Sequence, residues 1–355
     1  MTGGDPHLAV HLAAWARSQG HRVDGTTLIK GRVDEDRWRL AQRAGGPGAD
    51  GVVDRPASTW GLAARGALVE SGGPPLTADL ADKTVVWSDL APQLYAQAAA
   101  NQWDPATAID WDQPVGLPDP VEAAVVQVMT YLIENEQAAL MVPARFLARV
   151  HPHFREVVQL LAIQTADEAR HIEVFTRRAR LTGRPLGTSS AGGRASLQTL
   201  LDEPDFSLAS FLLSVLGEGT FLHLLSFLER HAPDGVTRRV AHLALQDESR
   251  HVAFGMGHLQ HRLEVEPDLR GRLAGAIERR HHALSQTAGL NADTFDALVV
   301  LAAGEWSTTA LAQGWDRVQQ LQTDMDEGRR RRLVRLGFSA DAAAQLSALH
   351  TRNFM

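Results

Sequence analysis

The feature that most constrains this chain is a five-residue pattern that occurs twice, as Asp167-Glu168-Ala169-Arg170-His171 and Asp247-Glu248-Ser249-Arg250-His251. In a chain of this composition Asp-Glu-x-Arg-His is expected by chance roughly 0.005 times, so two copies mark a repeated unit. The flanks repeat too, with His151 and His231 each standing 20 residues before the histidine of its motif. Each copy lies in a long stretch whose apolar residues recur at three- and four-residue spacing, the pattern of an amphipathic helix. Four such stretches cover 119–148, 154–181, 207–231 and 235–262. His151-Pro152-His153 closes the first, Ala232-Pro233-Asp234-Gly235 divides the third from the fourth, and a Gly- and Ser-rich segment from Thr182 to Ser196 separates the middle two. Short, long, short connections describe two helical hairpins joined by a crossover, one class of four-helix bundle. Accessory helices are expected at 268–288, 293–321 and 339–350, with Asn291 and Ser339 as N-caps of the last two. His151 and His231 are expected to cap helix C-termini.

Helix geometry gives the repeat a chemistry. Glu and His at i and i+3 project from one face, so Glu168 with His171, and Glu248 with His251, can hold one ion together. Both pairs fall on apolar stripes, where a carboxylate is costly unless paired or bound to a metal. The partner carboxylates should come from the other helix of each hairpin. Glu218 shares a face with Phe211, Val215, Phe221 and Leu222; Glu136 shares one with Met129, Leu132, Ile133 and Leu140, whereas Glu134 points about 200° away. The phase favours Glu136 over Glu134. One Glu from each of two helices and Glu-x-x-His from each of the others is the ligand inventory of carboxylate-bridged di-iron or di-manganese sites. Oxygen donors with two imidazoles suit Fe(II) or Mn(II), and with no cysteine the chain offers no structural zinc site of the thiolate kind and no iron–sulfur cluster. Asp167 and Asp247 can each accept a hydrogen bond from the ligating histidine of the opposite hairpin, with Arg170 and Arg250 neutralising them; surface ion pairing is the alternative reading of these pairs. Gln164, one turn before Glu168, is placed either to bond a ligand or substrate or to pair within the core.

Residues 1–115 read differently, as an irregular segment broken by runs such as Ala44-Gly45-Gly46-Pro47-Gly48 and holding Trp15, Trp38, Trp60, Trp87, Trp103 and Trp111, taken as packing anchors. The domain expectation is this segment on one side and a helical domain, 116–355, on the other. The net charge of -7 argues against a nucleic-acid binder, which needs a clustered basic face. No uninterrupted apolar run approaches a membrane span, and Met1 to Pro6 lack a signal-peptide pattern, so the expectation is a cytoplasmic protein without a membrane partner.

On these residues the sequence resembles the ferritin-like di-iron carboxylate proteins over roughly 119–262. Its paired motifs look like those of multicomponent monooxygenase hydroxylases and, less closely, acyl-carrier-protein desaturases. The run from Asn101 to Trp111 is similar to a segment before the bundle in the p-aminobenzoate N-oxygenase group. The resemblance implies an all-α, ferritin-like bundle carrying two Fe ions, or Mn with Fe, on Glu136, Glu168, His171, Glu218, Glu248 and His251. It implies that O2 is activated to oxidise a small organic substrate by hydroxylation or N-oxygenation, with electrons from an external donor, and a homodimer is the default assembly. Departures narrow this. Phe175 occupies the place of the redox tyrosine of a ribonucleotide reductase radical subunit, and Ala244 that of the extra histidine ligand of the N-oxygenases. The alternatives are desaturase-type oxidation of an acyl chain, for which Arg329-Arg330-Arg331-Arg332 would be the basic patch for an acidic carrier, and non-enzymatic metal storage.

Overall fold

A computed structural model describes residues 4–31, 37–285 and 292–349. The chain separates into two compact units, one of residues 1–82 with 151–153 and one of 83–150 with 154–355. Residues 83–115, grouped with the N-terminal segment on sequence, thus belong to the helical unit. The smaller unit contains α1 (Leu8–Ser18) and two short antiparallel ribbons, β1 (Arg22–Asp24) with β2 (Thr27–Ile29) and β3 (Gln42–Arg43) with β4 (Leu68–Val69). Within it the Val53 N–H donates to His153 Nε2 at 3.1 Å.

The helical unit begins with two short helices, α2 (Lys83–Val86) and α3 (Ala91–Ala100). The bundle follows as α4 (Asp119–Leu147), α5 (Arg155–Arg180), α7 (Phe206–His231) and α8 (Gly235–Val265). α4 packs along α5 and α7 along α8, and α3 lies across both α5 and α8. The crossover contains a helix the sequence reading placed in a loop, α6 (Ala191–Leu201), capped by Ser190. Beyond the bundle lie α9 (Leu269–Ser285), α10 (Ala292–Ala303), α11 (Thr308–Arg335) and α12 (Ala340–Ala348). The single helix expected over 293–321 is two, divided at Gly304 and restarted where the Ser307 side chain accepts the Ala310 N–H. Ser339 caps α12 as expected, and Asn291 lies outside the described residues. Neither histidine acts as a helix-capping cation. His151 Nδ1 accepts the His153 N–H, the His231 ring packs on Phe227, and burial pushes both imidazoles below their usual value.

α7 departs from regular winding in the middle. Phe211–Glu218 forms a π-helical segment, wholly buried, that ends on Glu218. Gly255 lets α8 approach it closely, since a Cβ there would stand 2.6 Å from the Ser214 Cβ. α7 is also long and apolar enough to cross a membrane by length and composition, contrary to the expectation from uninterrupted runs, yet 83% of its apolar window is buried inside the protein. It is the central helix of a bundle. At one end of that bundle Arg178, fully buried, donates to Glu122 of α4 at 2.8 and 2.9 Å and to Asp234, the α8 cap, at 2.9 Å. The run 329–332 is no continuous basic patch: Arg329 and Arg332 are buried, and Arg330 pairs with Asp326.

Candidate metal centre

The six residues singled out by helix phase meet at mid-bundle. Donor atoms of Glu136, Glu168, His171 and Glu248 lie within 4.8 Å of one another, as do those of Glu168, Glu218, Glu248 and His251. The two groups share Glu168 and Glu248, the glutamates of the repeated motif, while each has one outer glutamate and one histidine of its own. Glu134 belongs to neither and is only half-buried. All six side chains are at most 4% exposed.

Both imidazoles turn Nδ1 towards the glutamates. His171 Nδ1 lies 3.1 Å from Glu168, 3.4 Å from Glu248 and 3.7 Å from Glu136; His251 Nδ1 lies 3.0 Å from Glu168 and 3.4 Å from Glu248. Their Nε2 atoms face away, His171 to Asp247 and His251 to Asp167, each at 3.2 Å. Every histidine is therefore held by the aspartate of the opposite hairpin. The aspartates are bound in turn by arginines that are 12% and 11% exposed in their side chains: Arg170 reaches both Asp167 and Asp247, and Arg250 bonds Asp247 and lies 3.7 Å from Asp167. These pairs are interior, not a surface lattice.

The electrostatics are those of an over-acidic pocket. Burial, then the neighbouring charges of Glu168 and Glu248, pushes the Glu136 carboxyl well above its usual value; burial and the same glutamates do so for Glu218, against the pull of His251. Burial would lower the two imidazoles, but the carboxylates around them win and hold both well above the ordinary histidine value. Burial would likewise raise Glu168, yet the two imidazolium groups bring it far below. In this state protons, placed on both outer glutamates and both histidines, offset the negative charge. Even so, Glu136 Oε1 and Glu218 Oε2 are buried with no hydrogen-bond partner, and Glu168 Oε1, Glu248 Oε2 and His251 Nδ1 meet only as an ion-pair cluster without an aligned hydrogen bond. Buried oxygens left in this way are a cost that a pair of divalent cations would relieve, and oxygen donors with two imidazoles match hard first-row ions. The residues present fit such a pair.

Two contributors, Trp103 and Gln102, were not assigned to this site by sequence. The Trp103 Nε1–H donates to Asp247 at 2.8 Å, and its ring stacks against His171 with centroids 6.5 Å apart and lies under the Arg170 guanidinium. Gln102 donates to Asp167 at 3.1 Å and accepts from Arg170. Gln164, placed by sequence either to bond a ligand or substrate or to pair within the core, donates to the candidate ligand Glu218 at 3.2 Å. Gln102 and Trp103 follow α3, in an irregular stretch with no periodicity to mark them; the sequence signal that touched them was the likeness of the run Asn101 to Trp111 to a segment before the bundle in the p-aminobenzoate N-oxygenase group.

No family model matches the chain, and no curated protein matches it. Solved structures do. Two single-residue variants of an R2-like ligand-binding oxidase, one with an anaerobically and one with an aerobically reconstituted Mn/Fe cofactor, are each 18% identical with a TM-score of 0.50. The first match covers 74% of this chain and 95% of that one; the second covers 75% and 95%. The fold is the ferritin-like helical bundle.

Proposed function

We propose that this chain is a non-haem dimetal oxidase that uses O2 to insert oxygen into a small organic substrate. The convergence of four glutamates and two histidines on two overlapping groups, with five of their donor atoms lacking an aligned hydrogen bond, carries the reading. Glu168 and Glu248, common to both groups, would help hold both ions; Glu136 with His171 would complete one position and Glu218 with His251 the other. Likeness to oxidases reconstituted with a Mn/Fe cofactor supports two irons, or manganese with iron, as occupants. Bound there, the ion pair supplies the electrons that reduce O2.

The chain's own residues prepare the site for this. Asp247 and Asp167 accept from the histidine Nε2 atoms, which fixes the tautomer that leaves Nδ1 free to ligate. Burial would raise both aspartates, but the bonds from His251 and His171, with Arg250 also acting on Asp247, hold them below the usual carboxylate range. Phe175 packs against the His171 ring with centroids 6.2 Å apart, and Leu161, Phe211 and Phe221, all at most 3% exposed, belong to the same apolar bundle core, a setting that excludes water from an oxidising centre. Trp103 and Gln102 close the side facing α3. Inserting one oxygen atom of O2 and releasing the other as water consumes two electrons and two protons beyond what the substrate supplies, so turnover draws on an external electron donor.

The test is metal content after anaerobic Fe(II) loading, followed by O2 uptake. About two irons per chain are expected, with O2 consumed on exposure. Absence of tightly bound iron, or full retention by Glu248→Ala, would sink the reading.

A further inference from the structure

A cleft of about 420 Å³ opens elsewhere in the helical unit, between α7, α8 and α11. Leu222, Val252 and Met256 form its apolar wall, and Arg331 and Arg335 stand exposed at its mouth. Arg332 also lines it and is 9% exposed. α-Helical phase explains why one arginine run serves two purposes. Arg329 and Arg330 turn to Asp326, while Arg331, Arg332 and Arg335 turn to the cleft and, among the described residues, pair with no carboxylate.

Arg332 is the unusual group. Its Nε donates to the Val215 carbonyl at 2.7 Å, inside the π-helical segment, and its buried Nη2 has no partner. Burial, with Arg329 and Arg331 nearby, pulls the guanidinium down to about 9, so it remains cationic at neutral pH. Arg332 crosses α7 directly over Gly219, where a Cβ would lie 2.5 Å from its Nε; only glycine leaves that passage open. His223, also in the lining, is driven down to about 4 by burial and by Arg332, so it adds a neutral polar edge and no charge. A buried cation with a free planar edge, and two more at the entrance, calls for an anion; the apolar wall calls for that anion to be organic.

We propose that this cleft binds an organic carboxylate, with its charged end on Arg332 between Arg331 and Arg335 and its apolar body against Leu222, Val252 and Met256. The site is separate from the glutamate cluster and does not rest on the metal assignment.

Calorimetric titration of the full chain, metal-free and Fe(II)-loaded, with cyclohexanecarboxylate tests it; cyclohexanecarboxamide and inorganic phosphate serve as comparisons. Saturable binding of the carboxylate to both forms is expected, with the neutral amide weaker by about tenfold or more. Arg332→Gln should lose about tenfold, and Met256→Trp, which fills the cleft, should abolish binding. If Arg332→Gln loses its helical circular dichroism, Arg331→Ala/Arg335→Ala replaces it, with a loss of several-fold expected. Equal affinity for the amide, tighter binding of phosphate than of the carboxylate, or unchanged affinity in the arginine variants overturns the proposal. So does binding confined to the Fe(II)-loaded form, which would put the carboxylate at the glutamates instead.

Discussion

The two hairpins carry the same ligands in the same order, yet they support them differently. Glu136 sits on a regular α-helix, and the histidine beside it, His171, is covered by the Trp103 ring, which bonds the same aspartate. Glu218 ends a π-helical segment and takes a hydrogen bond from Gln164, while His251 is backed by Asp167, which Gln102 and Arg170 bond in turn without an indole stacked on the ring. A repeated sequence has thus produced two candidate metal positions with unlike surroundings: one closed by an irregular segment outside the repeat, the other set by a local change of helical winding. That difference suits a centre in which the two ions have separate tasks.

Substitutions in matched pairs sharpen the contrast. The largest effect is expected from the shared glutamates. Glu248→Ala should lose both irons, whereas Glu136→Ala should lose about one, read as iron per chain after anaerobic loading. Equal losses would break the two-position description. Next, Asp247→Asn and Asp167→Asn should each weaken metal binding by about 10–100-fold, with the Asp247 variant towards the upper end because Trp103 also depends on it. A larger loss for Asp167→Asn would reverse the assignment of the better-supported half.

Proton linkage supplies the third contrast. The Glu136, Glu218, His171 and His251 values are all raised in the folded, metal-free protein. Each group contributes stability that is complete below its unfolded value, 4.5 for Glu and 6.5 for His, and that is lost as pH rises through the folded value. Thermal unfolding of the metal-free protein should therefore occur at lower temperature as pH increases above 6.5, while Mn(II) affinity strengthens over the same interval because ligation displaces those protons. Glu136→Gln and Glu218→Gln should each flatten the unfolding slope, and a slope left intact by both would contradict the proton placement. The smallest effect belongs to Gly255→Ala, which would crowd Ser214 and cost about 1–3 kcal/mol in chemical denaturation.

Much of the bundle was legible because its signals are periodic. The stripes through Glu168, His171, Glu248 and His251 brought these side chains to one buried cluster, and phase put Glu136, not Glu134, in it. What escaped has physical reasons. The π segment 211–218 is apolar almost throughout, so no pattern of polar residues betrays its winding. The membrane-length helix was overlooked because Ser210, Ser214 and Gly217 interrupt the apolar run without much lowering its average hydropathy. The break between α10 and α11 did carry a signal, Gly304 with Ser307 at the cap, which the continuing apolar period overrode. Within α6, Gly192 and Gly193 disguised a helix that its Ser190 cap supports. Trp103 was read as packing because an indole before a bundle usually is; only its position beneath Arg170 reveals the bond to Asp247.

The Arg178 clamp has a bearing on the metal centre that its distance along the bundle conceals. It joins α4 to the turn that starts α8, so sliding one hairpin past the other by a helical turn, about 5.4 Å, would strand a guanidinium in the interior. Removing a partner from such a buried pair typically costs about 3–5 kcal/mol. Axial slip is thereby penalised at a point that no ion touches. The alignment of the four glutamates is a property of the scaffold, so the places that the proposed ions would take are kept by side chains that no ion touches.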